Sequence, residues 1–133
     1  MHLLLSASTD VSAALLTNCL AVLDRFPDLQ GQLRENPSLI DAFVEEVLRY
    51  ESPMKNAARQ TASAVTLHGV TIPENARVLA LIASANRDER VYSDPETFDP
   101  SRTYTAENTI LSFGAGIHSC IGAPLAHLMA VVT

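Results

Sequence analysis

Cys120 ends a run that combines one thiol, one imidazole and three glycines: Phe113-Gly114-Ala115-Gly116-Ile117-His118-Ser119-Cys120-Ile121-Gly122. Gly114 and Gly116 permit φ > 0 and remove side chains where a flat, bulky group would approach the backbone. Ala123-Pro124-Leu125-Ala126 follows at once and reads as a helix opening with proline in its first turn. A thiolate at such a place meets free backbone N–H groups and roughly half a positive charge from the helix dipole. Phe113 can shield the sulfur from water. Two other readings of the residues stand beside this one. Cys120 could be a structural cysteine next to a flexible loop, or a zinc ligand, although no second cysteine or histidine follows at finger spacing.

Phe-Gly-x-Gly-x-His-x-Cys-x-Gly resembles the haem-binding loop of the cytochrome P-450 family, and further motifs of that family occur in order along the chain. The sulfur–iron bond is a property of that family and does not follow from the spacing alone. The resemblance implies haem b (iron protoporphyrin IX) with Cys120 as axial ligand to the iron. It also implies Phe113, Gly114 and Gly116 around the macrocycle and His118 at a propionate. Arg59 resembles the arginine that clamps a haem propionate, a role suited to the planar guanidinium.

A long helix must form the opposite wall. Residues 2–24 read as one helix whose apolar positions fill much of its circumference, so burial on more than one side is expected. Asp10 in such a helix needs a partner, water or a functional pocket, or else a solvent-facing position. The stretch is similar to the family's distal helix, which carries a small pair, then an acid followed by an alcohol. Ala7 and Ser8 match the small pair and Asp10 the acid, but Val11 stands where the alcohol belongs. Ser12 comes one residue later, rotated by about 100° around the helix. The resemblance thus implies Asp10 and Ser12 as proton-delivering groups, Val11 as a pocket residue, and weaker coupling of electrons to product.

The next elements hold the loop in place. A break is expected at Phe26-Pro27-Asp28, then a brief helix over 29–35. Asn36-Pro37 reads as a cap and first-turn proline. Ile40, Phe43, Val44, Val47 and Leu48 then mark one apolar helix face. Glu46 and Arg49 on that helix form either a surface i,i+3 pair or, by the resemblance, the family's buried Glu-x-x-Arg pair, with Arg102 as the third, structural member. Residues 52–58 read as a loop, and the resemblance places Met54, Lys55, Asn56 and Ala57 at the substrate pocket. Val65-Thr66-Leu67 and Val70-Thr71-Ile72 alternate around His68-Gly69 as a hairpin, with His68 a plain turn residue. Asn75 supplies a left-handed turn position, and residues 77–83 read as a strand. An irregular connection through 85–88 and 94–102 leads to the cysteine loop. Beyond it, His127 and Met129 replace a basic and an acidic residue of the family, which implies altered surface or redox-partner contacts without loss of haem.

The bulk properties agree. A chain of 133 residues with 47% hydrophobic content folds around one modest core, and the element pattern with the resemblance implies a mainly α chain with small β hairpins or sheet (α+β), a partial cytochrome P-450 fold. The resemblance implies that residues 1–133 correspond to the carboxy-terminal half of a haem domain, without a second domain. The net charge of −6 excludes a nucleic-acid surface as the main role. Cys19 and Cys120 make no disulfide framework, Cys19 reads as a small core residue, and the usage suits the cytoplasm. The amino-terminal helix is interrupted by Ser, Thr, Asn and Asp and lacks a basic flank, so neither a membrane span nor a signal peptide is expected. The resemblance implies a monooxygenase that uses dioxygen on a small apolar substrate. Its electrons would come from a ferredoxin-like donor with its reductase, and a complementing chain is a further expected partner. Alternatively, the chain binds haem without turnover or serves as an interaction module. Alone, it is expected to expose apolar patches and associate.

Overall fold

The computed structural model describes the backbone of residues 2–133 and the side chains of residues 8–133. Helices dominate: α1 (His2–Arg25), α2 (Pro27–Glu35), α3 (Ile40–Tyr50), the short α4 (Ile82–Ala85) and α5 (Ala123–Val132). Between α3 and α4 lie four short strands in two antiparallel pairs.

The core is the seam between α1 and α3. Leu15, Cys19 and Val22, spaced by four and three residues, meet Phe43, Val44, Val47 and Leu48, and all seven are buried. Each fully buried aliphatic side chain of this kind contributes about 1.5–3 kcal/mol. Burial pushes the Cys19 thiol up to about 11, as expected for a small core residue. The expectation that α1 is buried on more than one side is corrected: Leu20 is 69% exposed. Helices α2, α3 and α5 pack against α1, which leaves Leu20 in contact with solvent.

The turns follow residue chemistry. The break before α2 is shorter than expected, because Pro27 is itself within the first turn, where a fixed φ and a missing N–H cost nothing. Pro37–Leu39 forms a 3-10 turn leading into α3, with Asn36 Oδ1 accepting from Ser38 N at 3.3 Å. Strands β2 (Val65–Leu67) and β3 (Val70–Ile72) form the expected hairpin. Both turn residues, His68 and Gly69, have positive φ (49° and 80°), the geometry that matches strand twist in a two-residue turn. Asn75 takes φ 60°, as its residue type allows.

Two boundaries move. Strand β1 (Ala57–Gln60) begins inside the segment read as a loop, because Ala57 and Ala58 pair with Ala80 and Leu79 of β4 (Arg77–Ala80). The strand expected over 77–83 stops at Ala80, and Ile82–Ala85 turns into α4, held by Ala83 N donating to Lys55 O at 3.1 Å. The connection from α4 to the cysteine loop is irregular, as expected, and is pinned by aromatic contacts. The Phe98 ring lies 5.5 Å from Phe26, 5.9 Å from Phe43 and 5.5 Å from Tyr50, which joins this connection to α1's end and to α3. Among the described residues no helix is long and apolar enough to cross a membrane.

Candidate cofactor site

The cysteine loop spans residues 113–122 and ends at the start of α5, with Gly122 as N-cap and proline in the first turn. Gly114 and Gly116 both have positive φ (74° and 72°), so the two glycines are required by the backbone. Gly114 N donates to Leu111 O at 2.8 Å, Ser119 N to Gly116 O at 3.1 Å, and Cys120 N to Phe113 O at 2.9 Å. The last bond closes the loop on itself and sets Cys120 beside the half-buried Phe113.

Cys120 is exposed, in contrast to Cys19. Ile117 and Ile121, on either side of it, are each 96% exposed. A Cβ added at Gly116 would meet nothing within 4 Å, whereas one at Gly122 would sit 3.7 Å from the Cys120 sulfur. The loop therefore presents one sulfur donor on an open, apolar surface. No group of three or more metal-ligating side chains occurs among the described residues. A single protein donor framed by apolar side chains suits an iron that brings its other ligands in a flat macrocycle, and does not suit a zinc finger. The residues present fit haem. His118, in the 3-10 turn Gly116–His118, and Arg59, on β1, are both exposed, and Arg59 Nη1 donates to the neighbouring Ala58 O at 2.8 Å.

The remaining residues picked out in the sequence are placed as follows. Asp10 is exposed on α1, and Val11 and Ser12 are half-buried. Ala7 lies outside the residues whose side chains are described. Met54, Lys55 and Asn56 are exposed and Ala57 is half-buried at the start of β1, while the Lys55 ammonium reaches back to Glu51 at 3.3 Å. Met129 lies at the surface, but His127 does not present a free surface position. Its Nε2 lies 3.3 Å from a Glu45 carboxylate oxygen and its Nδ1 3.9 Å from Asp41, so the ring bridges α5 to α3. Both carboxylates are themselves exposed, so His127 stands in a surface ion cluster between α5 and α3. A cavity of about 560 Å³ lies at this junction, between α3, α5 and Phe113.

Behind the loop sits a buried charged knot. Arg49 Nη2 donates to Glu46 Oε1 at 2.6 Å and Arg49 Nε to Glu46 Oε2 at 2.8 Å, with both side chains fully buried. The guanidinium also donates to the carbonyls of Asn86, Pro95 and Thr97, at 3.2, 2.8 and 3.0 Å. Burial works against its charge, and Glu46 and Tyr104 more than offset that, leaving Arg49 above the ordinary arginine value. Arg102 adds a second cation beside the carboxylate, its Nε 3.6 Å from Glu46 Oε1.

Sequence reasoning missed several members of this knot. Tyr104 donates its hydroxyl to Glu46 Oε2, and Asp99 N donates to Glu46 Oε1 at 2.9 Å. Burial first, and then Glu46, push the Tyr104 phenol far up. Arg87 donates to Tyr50 O at 2.5 Å and lies over the Tyr50 ring at 4.1 Å. Asn86, Ser52 and Ser112 are buried polar residues between the knot and the loop. Their only signal in the sequence is polarity inside otherwise irregular stretches, which loops share.

Comparison with known proteins agrees with this geometry. A family model described as cytochrome P450 matches residues 1–133. Cytochrome P450 107B1 of Saccharopolyspora erythraea is 43% identical over 133 residues, covering 99% of this chain and 32% of its own. The erythromycin C-12 hydroxylase of the same organism is 43% identical over 125 residues, covering 94% and 31%. Among solved structures, ligand-free cytochrome P450 TbtJ1 superposes with a TM-score of 0.91 at 41% identity, over 98% of this chain and 34% of that one. P450BioI in complex with an acyl carrier protein gives 0.87 at 40% identity, over 95% and 32%. The chain thus spans about a third of the length of the relatives it matches. With the loop, the charged knot and the whole-length family match in agreement, the chain belongs to the cytochrome P450 family.

Proposed function

We propose that this chain is part of a haem-thiolate monooxygenase in which Cys120 is the axial ligand of haem b. The observation that carries the reading is an exposed thiol on a loop whose two positive-φ glycines leave an open apolar face. When bound, the haem supplies an iron made electron-rich by the thiolate, which favours O–O cleavage of dioxygen.

The chain's own residues do the rest. Ile117 and Ile121 offer apolar surface that a macrocycle would remove from water. Gly114 and Gly116 let the backbone come close to it. Phe113 keeps water from the sulfur. Arg59 and His118 are the cations for the propionates, and the Arg59 fork suits bidentate pairing. On α1, Ala7 leaves space, the Asp10 carboxylate is a proton acceptor, and Ser12 Oγ is the hydroxyl that follows Val11 and can pass a proton. Val11 has no proton to pass, so a smaller share of electrons ends in product. Met54, Lys55, Asn56, Ala57 and Val11 form part of the wall facing a small apolar substrate. Hydroxylation is the reaction class that the name of the erythromycin C-12 hydroxylase suggests for this chain as well. Electrons come from a ferredoxin-like donor and its reductase.

Loading the chain with haem, reducing it and adding carbon monoxide tests the reading. The expected result is the absorption band of a thiolate-ligated ferrous carbonyl, lost in Cys120→Ala. A folded parent without that band, or a Cys120→Ala variant that keeps it, overturns the assignment. Product formed per electron consumed should rise in Val11→Thr, and an unchanged ratio rejects the proton path. A second reading, haem binding without turnover, is favoured by Val11 and by the open faces of α1 and the loop; a thiolate band without product selects it.

A further inference from the structure

The cysteine loop leaves the core through a buried polar network to which the chemistry above assigns no role. Three buried side chains form it. Ser52 lies just beyond α3, Asn86 caps α4, and Ser112 immediately precedes Phe113. Asn86 Oδ1 accepts from Leu111 N at 2.8 Å, and Asn86 Nδ2 donates to Ser112 Oγ at 2.9 Å. Ser112 Oγ lies 2.5 Å from Leu48 O and 2.7 Å from Ser52 Oγ, which itself lies 2.9 Å from Met54 O. Asn86 O accepts from Arg49 Nη1 at 3.2 Å, so the network continues into the charged knot.

The bookkeeping of donors explains why residue 86 is asparagine. Two hydroxyl protons, of Ser52 and Ser112, are contested by Leu48 O, Met54 O and the other hydroxyl. Ser112 therefore has no proton to spare and must accept from residue 86, while Leu111 N needs an acceptor from the same side chain. A carboxamide does both from one planar group, and an aspartate of the same shape would lack the donor. Leaving a buried polar atom unpaired here costs its full desolvation.

From these anchors the path to the sulfur is short. Leu111 is held at its N–H by Asn86 and at its C=O by Gly114 N, and Phe113 O receives Cys120 N. We infer that Asn86, acting through Leu111 and Ser112, is a positioning residue that sets where the cysteine loop leaves the core and hence where Cys120 stands. The inference rests on the proposed ligand role of Cys120 for its consequence, though not for its geometry.

Amide hydrogen exchange on the full chain, together with the ferrous carbonyl spectrum of its haem-loaded form, tests it. The variants are Ser112→Ala and the isosteric Asn86→Asp, with Leu33→Ala in α2 as a control for general loss of stability. Both network variants should speed exchange at Leu111 and Cys120 by about tenfold beyond any change in α2. They should also move part of the carbonyl band away from its thiolate form, and Leu33→Ala should do neither. Parent-like exchange at Leu111 and Cys120 overturns the inference, as does acceleration spread evenly over the chain. If Asn86→Asp does not fold, Ser112→Ala decides alone. If Ser112→Ala also fails to fold, the network is a foundation of the whole fold and the inference falls. A parent without a thiolate band would reject the ligand role alone, because the exchange result is read independently of haem.

Discussion

The charged knot and the cysteine loop are neighbours built on opposite terms. Around Glu46 and Arg49 nearly every polar atom has a partner inside the protein, and both side chains are withdrawn from water. Around Cys120 the apolar side chains and the thiol face outward. One region has finished its interactions within these residues, and the other is held ready to make them. The difference teaches how one short chain divides its polar and apolar groups: the interior polar atoms are satisfied by one another, while the loop's apolar side chains and thiol stay in contact with solvent.

The largest effect should come from opening the knot. Glu46→Ala strands a buried guanidinium and should cost ~3–5 kcal/mol in urea unfolding, enough to leave much of the chain unfolded. A loss below ~1 kcal/mol would show that water satisfies Arg49 and would dissolve the contrast. Tyr104→Phe removes one donor to the buried carboxylate and should cost ~1.5–3 kcal/mol by the same measurement.

Alkaline pH probes the core between the two regions. The Cys19 thiol is raised by burial from its ordinary 9.0 to about 11, so the folded state holds its proton longer than the unfolded state. This contribution is complete below pH 9.0 and is lost as the pH rises to about 11, which should appear as a falling urea midpoint across that window. Cys19→Ala should flatten the fall. Thiol alkylation of the haem-free chain should modify Cys120 and spare Cys19 until the chain unfolds.

The loop should respond weakly to changes that do not touch its backbone. Gly116→Ala meets open space but forces a positive φ on alanine, and should cost about 1 kcal/mol. Cys120→Ala, in the absence of haem, should change stability by less than ~0.5 kcal/mol, because the sulfur is exposed. A large loss there would mean that the thiol is already part of the core and that the loop is not held open.

Local chemistry made much of this legible in advance. Proline in the first helical turns, asparagine at the start of the 3-10 turn, His68-Gly69 in the hairpin and the two loop glycines each act through their own backbone preferences. The period of Phe43, Val44, Val47 and Leu48 located the buried face of α3. What stayed hidden depends on partners distant in the chain. Nothing beside Asn86 tells it from a surface loop residue, and its partners lie at 111 and 112. Tyr104 joins Glu46 across 58 positions, and His127 on α5 lies beside Glu45 and Asp41 of the distant α3.

The amino-acid sequence by itself determined the long helices, the hairpin and the glycine conformations of the cysteine loop, because these rest on φ preferences and periodicity within a few residues. Only the tertiary structure decided which polar groups are buried together, where α1 stays uncovered and how the loop is tethered. Desolvation and hydrogen bonding depend on what else fills the space, and that is settled when distant segments meet.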